Sequence, residues 1–405
     1  MPRTRRASRI RANRRADQPA FTSAEGSTLN PTPTASLISR VTRPLSVLIL
    51  AFGACTASAQ PGTSLPRSTV ETIGVNPSQR TQIQEFVTNW SSRVTSEDAQ
   101  DIKRGIEALT APLQGRGVSV AFRQAYTQAL NPLFSELKAN ESVANKLSLL
   151  RISADLATPT AVNNIQGLMS DDDHGVRLFA ISRAGQVFET TRVHGPAMTG
   201  TDANALINAI TDAAQQNADQ HELIKACARA LASGTTLGTR DLGDARSRAI
   251  IALSDLVGSR LQALNANEDP TFAQSLAFDA ASATTRSISD ITASVTAEAA
   301  RAAVRLGGDI ISVPLRRYLA KTLEPQNDRE LTVRSVQTGE TLLYFARRKA
   351  AELDGKTVND IETTSFSSQL EAGDDRDFRN DAAALLGPGS PIVRTFGFDD
   401  DRFLR

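Results

Sequence analysis

The chain offers only three histidines for metal or general-base chemistry: His174, His194 and His221. His221-Glu222-Leu-Ile-Lys225 opens like a helical zinc motif, in which two imidazoles one turn apart hold the metal and the glutamate is the base. Lys225 stands where the second imidazole belongs, so a catalytic zinc would need carboxylates to complete its ligands. Ser135-Glu-Leu-Lys138 puts a lysine one turn after a serine, a spacing that lets an amine activate a hydroxyl nucleophile. The Ser-Asp-Asn and Lys-Thr-Gly elements that complete such a site do not follow; Lys356-Thr-Val is the nearest fragment. Cys227 shares a helical face with Leu223 and Ala230, which suits a small buried hydrophobe better than a nucleophile. No phosphate-cradling glycine loop, dinucleotide fingerprint or nucleophile elbow occurs. The acidic runs Asp171–Asp173 and Asp399–Asp401 lack the ligand and glycine spacing of a calcium loop. Asn89-Trp-Ser91 and Asn140-Glu-Ser142 are glycosylation acceptors only if export is eukaryotic. The expectation is a non-catalytic protein, with no catalytic residues, no cofactor and no bound metal.

The stretch that does carry information is Arg40-Val-Thr-Arg43 followed by an apolar run from Leu45 to Thr56 and then Ala57-Ser58-Ala59. Positive, apolar, then A-x-A is the order of a secretory signal. The run is shorter than the ~20 residues a membrane-crossing helix needs. Two alternatives remain: an uncleaved anchor, or lipidation at Cys55 within Phe52-Gly53-Ala54-Cys55. Residues 1–43 form a basic leader with seven arginines up to Arg15, and no fold is expected of it. It reads as a removed or untranslated segment, as an organelle-targeting segment, or as a nucleic-acid-binding arm. Nine of the 45 basic residues and two of the 44 acidic ones lie in residues 1–59, leaving 36 basic and 42 acidic in the remainder. A mildly acidic body is the wrong sign for a nucleic-acid partner. On cleavage after Ala59 only Cys227 remains, so there is no disulfide framework. Stability then has to come from core burial.

The elements that would position any site are helices. Ile83, Phe86, Val87, Trp90 and Val94 recur with a period of 3.6, and Ser96 with Glu97 and Asp98 looks like the cap of a following helix bearing Ile102, Ile106 and Leu109. Val143, Leu147, Leu150 and Ala154 continue the rhythm until Thr158-Pro159. Val176, Ala180, Ala184 and Val187 follow, then Leu206, Ile207, Ile210 and Ala214, then the 244–264 stretch. Strand-like alternation is nearly absent, and the fold class is all-α.

Asp173-His-Gly-Val-Arg-Leu-Phe-Ala180 resembles the second helix of a HEAT repeat, in which an aspartate in the turn precedes a Val-Arg pair and an alanine. Asp219-Gln-His-Glu-Leu-Ile-Lys-Ala-Cys-Ala228 repeats it loosely, offset by 48 residues, and Ala245-Arg-Ser-Arg-Ala249 is a candidate third copy. The resemblance covers about 143–265 and implies a HEAT/armadillo-like α-solenoid of helix pairs; the alternative is an irregular helical bundle. In such an array Asp173 and Arg177 tie one unit to the next. Val336-Gln-Thr-Gly-Glu-Thr-Leu-Leu-Tyr-Phe-Ala-Arg-Arg348 resembles the first half of a LysM module, a family that binds cell-wall glycans. The alternative there is one continuous helix from Asp328 to Leu353 with Leu331, Leu342, Phe345 and Leu353 inward.

The organisation expected is a leader at 1–43, a signal at 44–59, a linker at 60–76 and a HEAT-like array at 77–265. Long helices at 266–364 follow, interrupted at Gly307-Gly308 and Val313-Pro314, and then a Gly/Asp/Pro-rich, partly ordered tail at 365–405. Phe396, Phe398 and Phe403 in that tail either dock back on the body or bind a partner. The functional expectation is an exported scaffold or binding protein of the cell envelope, periplasmic or extracellular, with a protein partner. Membrane attachment comes only through the signal or a lipid on Cys55. A cell-wall-associated protein using 333–361 is the runner-up, and an enzyme without a recognisable motif comes third.

Overall fold

The computed structural model describes residues 64–238, 242–265, 268–292, 294–321, 327–356, 361 and 363–404. The leader, the signal, Cys55 and the Ala57–Ala59 site lie outside them. Every regular element among the described residues is a helix, and none of these helices is long and apolar enough to cross a membrane.

Eight of the helices among the described residues start where a short polar side chain accepts from an otherwise unbonded amide. Asn76 and Gln79 form a capping box for α2 (Pro77–Val94). Two residues after Ser96, Asp98 caps α3 (Ala99–Thr110), accepting from Gln100 N and Asp101 N; Ser96 instead accepts from Asp98 N. Part of the expected 60–76 linker is packed, because α1 (Arg67–Val70) buries Thr69 and Val70.

With α4 (Val120–Ala139) and α5 (Val143–Leu156), α2 and α3 make a bundle around large side chains. Phe122 stacks on Tyr126 at 5.1 Å, Phe86 lies 6.3 Å from the same ring, and Tyr126 Oη donates to Leu109 O at 2.9 Å. Of the alanines only Ala129 and Ala161 enter this core. The array expected from residue 77 therefore begins later. Val143, read as core, sits in the first turn of α5 and is 44% exposed.

From α5 onward the chain lays helices down in two layers. One runs α5, α7 (His174–His194), α9 (His221–Gly234), α11 (Thr271–Ser289) and α13 (Asn327–Leu353), each packed on the one before. The other runs α6 (Pro159–Gly167), α8 (Gly200–Gln216), α10 (Gly243–Ala263) and α12 (Ala297–Leu319). The 48-residue offset falls on equivalent positions in neighbouring helices: Val176 and Ile224 are both fully buried, as are Ala180 and, nearly so, Ala228. Ala245–Ala249 departs from that register, because it opens α10 in the opposite layer. Asp173 caps its own helix through Val176 N at 2.9 Å, and Arg177 donates to Asp171 O and Asp172 O. Both therefore close their own turn; it is Lys146 of α5, 2.7 Å from Asp171, that reaches across to the neighbouring unit.

The C-terminal third departs furthest from expectation. α12 runs unbroken through Gly307-Gly308 and Pro314, and the non-helical residues come earlier, at 290–292 and 294–296, leaving Ile291 95% exposed. The glycines are contact points. A methyl on Gly307 would sit 3.1 Å from Leu343 Cβ, one on Gly339 2.9 Å from Ile310 Cγ2, and one on Gly308 2.5 Å from the Phe403 ring. Helix axes approach this closely only where side chains are absent. Residues 336–348 lie inside α13, so the stretch resembling half a LysM module is the continuous helix. Its Glu340 caps another helix, accepting from Phe366 N at 2.6 Å and Ser367 N at 3.1 Å. Leu342 is buried as expected, whereas Leu353 is 42% exposed. The expected tail is folded: α14 (Phe366–Ala372) packs on α13, α15 (Asp375–Leu386) packs on α12, and α16 (Pro391–Phe396) follows. Phe366, Leu370, Phe378, Leu386 and Phe403 are all buried, and Phe398 meets Phe403 edge-on at 5.7 Å.

One device recurs at the seams. Arginines reach out of one helix to the carbonyl groups that end another. Buried Arg123 of α4 donates to Leu156 O at the end of α5 and to His194 O and Gly195 O at the end of α7. Arg246 of α10 takes Leu237 O and Thr236 O after α9, Arg260 takes Ala218 O after α8, and Arg316 of α12 takes Leu261 O and Gln262 O at the end of α10. Each places a positive charge where a helix dipole is negative. Burial lowers the Arg123 pKa to about 10, which leaves it charged at neutral pH.

Candidate functional site

On α8, Asn208, Thr211 and Gln215 are spaced three and four residues apart and so share a face. On α10, Arg248, Ala252, Asp255 and Ser259 do the same. The two helices are neighbours in one layer, and between these faces runs an open groove of ≈ 800 Å³. Ala214, Ile251 and Ala252 give its lining an apolar share beside these polar side chains. Glu298, at the start of α12, closes one side.

The charges are unevenly committed. Asp255 bonds to Arg305; burial raises its pKa, Arg305 and Arg402 pull it down, and Glu298 pushes it up. Arg260 is held by Ala218 O. Asn208, Gln215, Arg248 and Glu298 make no hydrogen bond or ion pair to any described residue. An amide side chain offers one acceptor and two donors, the set needed to bond an extended peptide backbone, and Arg248 adds a fork for a carboxylate. The hydroxyls of the lining are turned to their own helices, Thr211 donating to Ile207 O at 2.9 Å and Ser259 to Leu256 O at 3.0 Å. A second cleft of ≈ 710 Å³ between α7 and α9 carries Glu189, Glu222, Lys225 and Arg229. Gly185 there brings α7 so close to α9 that a methyl would sit 3.2 Å from Ala230 Cα.

The residues singled out for chemistry are scattered. His174 is exposed at the start of α7, and His194 ends that helix half-buried, its pKa lowered by burial and by Arg123. His221 stacks on Phe272 with ring centres 4.0 Å apart. Among the described residues no three His, Cys, Asp or Glu side chains gather closely enough to hold a metal ion. Ser135 Oγ donates to Asn131 O at 3.0 Å on the surface of α4. Cys227 is fully buried, and burial pushes its thiol up to about 12.

A buried acid was not anticipated. Asp309 of α12 is 0% exposed and meets Arg402 Nη2 at 2.8 Å. Gln262 bridges the two, reaching Asp309 Oδ1 at 3.4 Å and Arg402 O at 3.1 Å. Burial raises Asp309 to about 6, with Arg402, Arg305 and Arg316 opposing. Gly258 of α10 makes room for it, since a methyl there would lie 2.6 Å from Asp309 Oδ2. This is a lock between α10, α12 and the C-terminal segment. Compared with protein-family models, curated proteins and solved structures, the chain matches none.

Proposed function

We propose that the protein is an exported, non-catalytic scaffold of the cell envelope, built as a HEAT-like array, that holds an extended segment of a protein partner in the α8/α10 groove. The observation that carries this is the pairing of free amide and guanidinium groups, Asn208, Gln215 and Arg248, along one open groove of a two-layer stack. Stacked helix pairs make long surfaces of this kind and take partners along them. The body left after the signal carries more acid than base, which favours protein over nucleic acid. Residues 336–348 lie in a continuous helix with Glu340 occupied as a cap, so the scaffold reading is preferred to the glycan one.

The test is site-specific photocrosslinking in the native host. A crosslinker at Asn208 or Arg248 should trap one discrete partner, and one at Asp279, exposed on α11 in the other layer, should trap none. Equal labelling from all three positions would remove the groove from the function.

A further inference from the structure

Between the bundle and the array lies a hollow of ≈ 330 Å³ whose walls come from both. Ile102 and Ile106 of α3 belong to the bundle side, Leu147 and Phe179 to the array side. It marks the place where the two hydrophobic cores part. Only cations stand among its charged lining residues: Lys103 and Arg151. Beside them, the Arg183 guanidinium lies 4.4 Å over the Phe179 ring, close enough to Arg151 for each to feel the other's charge. Asp155, near Arg183, makes no hydrogen bond or ion pair with either arginine, and Arg183 Nε is buried without a partner. Lys103 has only Glu107 of its own helix, at 3.9 Å with both side chains exposed.

We propose that this hollow binds the aliphatic chain of a medium-chain carboxylate, with the headgroup held by Arg151 and Lys103. An apolar slot with a few polar groups at one end is how small-molecule sites are built. Guanidinium forks match the planar two-oxygen acceptor of a carboxylate. The hollow differs from the α8/α10 groove in the feature that selects a peptide. It presents no free amide for a backbone, and the hydroxyl of Ser148, its one neutral polar side chain, is donated to Ala144 O at 2.8 Å. The inference is independent of the partner reading of that groove.

The test is calorimetric titration of the full chain with decanoate below its micelle concentration, alongside octanoate, decyltrimethylammonium and an acidic leucine-containing peptide. The expected result is saturable one-site binding of decanoate. Affinity should fall about fourfold for each methylene removed, and the cationic amphiphile should not bind. Arg151 and Ala144 are both exposed on α5, so Arg151→Gln and Ala144→Trp leave the fold intact. The first should weaken binding about tenfold, as expected for loss of one charge-assisted pair, and the second should abolish it by filling the hollow. The thermal midpoint of the wild type should rise with decanoate, and that of Ala144→Trp should not. Absence of decanoate binding, equal binding of the cationic amphiphile, binding insensitive to both substitutions, or binding of the peptide alone would each overturn the proposal.

Discussion

The bundle and the array draw on the same packing materials in different proportions, aromatic rings weighing more in the first and alanine more in the second. In the bundle, rings and branched side chains fill wide gaps between helices, as with Phe86, Phe122, Tyr126 and Phe134. In the array, alanines and glycines let helices close in until backbone meets backbone, as at Gly307 against Leu343 and Gly185 against Ala230. A core of large residues is sensitive to loss of volume. Contacts made through small residues are sensitive to gain.

The comparison breaks most readily at its centre. Phe122→Ala removes a fully buried ring stacked on Tyr126 and should cost about 3–5 kcal/mol, read by urea unfolding. A loss below ~1 kcal/mol would mean that the bundle core repacks as freely as a surface. Arg123→Leu strips the ends of α5 and α7 of their donor and should cost about 3 kcal/mol. Its sharper signature is a second transition in calorimetry, as the bundle and the array lose their shared clamp; a single transition would show that the two cores unfold together without it.

Asp309 gives a pH test. Its folded pKa of about 6 lies above the ordinary 3.8, so the stability it contributes is fully present below about pH 4 and lost as pH rises through 6. The change is roughly 2–3 kcal/mol. Asp309→Asn should flatten that part of the stability–pH curve, and an unchanged slope would assign it to another group. The smallest effect is the enlargement test. Gly339→Ala gains helix propensity yet meets Ile310 Cγ2 at 2.9 Å, for a net loss of about 1–2 kcal/mol. The same change at exposed Gly167, where nothing lies within 4 Å, should not destabilise.

How much of this was legible in the sequence depended on whether the signal was local. The 3.6 period exposed the helices, and the 48-residue offset placed Val176 and Ile224 at matching buried positions. Composition misled where a residue type has two uses. Gly307-Gly308 reads as a break and serves as a contact, because only a neighbouring helix distinguishes the two. The stretch after Ser365 reads as loose from its Gly, Asp and Pro content, yet Phe366, Leu370, Phe378 and Leu386 are spaced to bury one face each of two short helices. Glu340 looked like part of a glycan-module turn because its actual partners, Phe366 N and Ser367 N, lie 26 and 27 residues away. Asn208, Gln215 and Arg248 were invisible as a site. They are ordinary surface residues until α8 and α10 are set side by side.

The arginines that end other helices have a consequence for how the molecule meets its surroundings. A carboxylate partner would lose its charge in acid and its attraction in brine. A carbonyl oxygen does neither, and a guanidinium keeps its proton through any ordinary pH. The bonds that Arg123, Arg246, Arg260 and Arg316 make to carbonyl oxygens are thus indifferent to the medium, and they should hold through swings of acidity and salt that loosen the ion pairs beside them, Asp309–Arg402 and Arg246–Asp290.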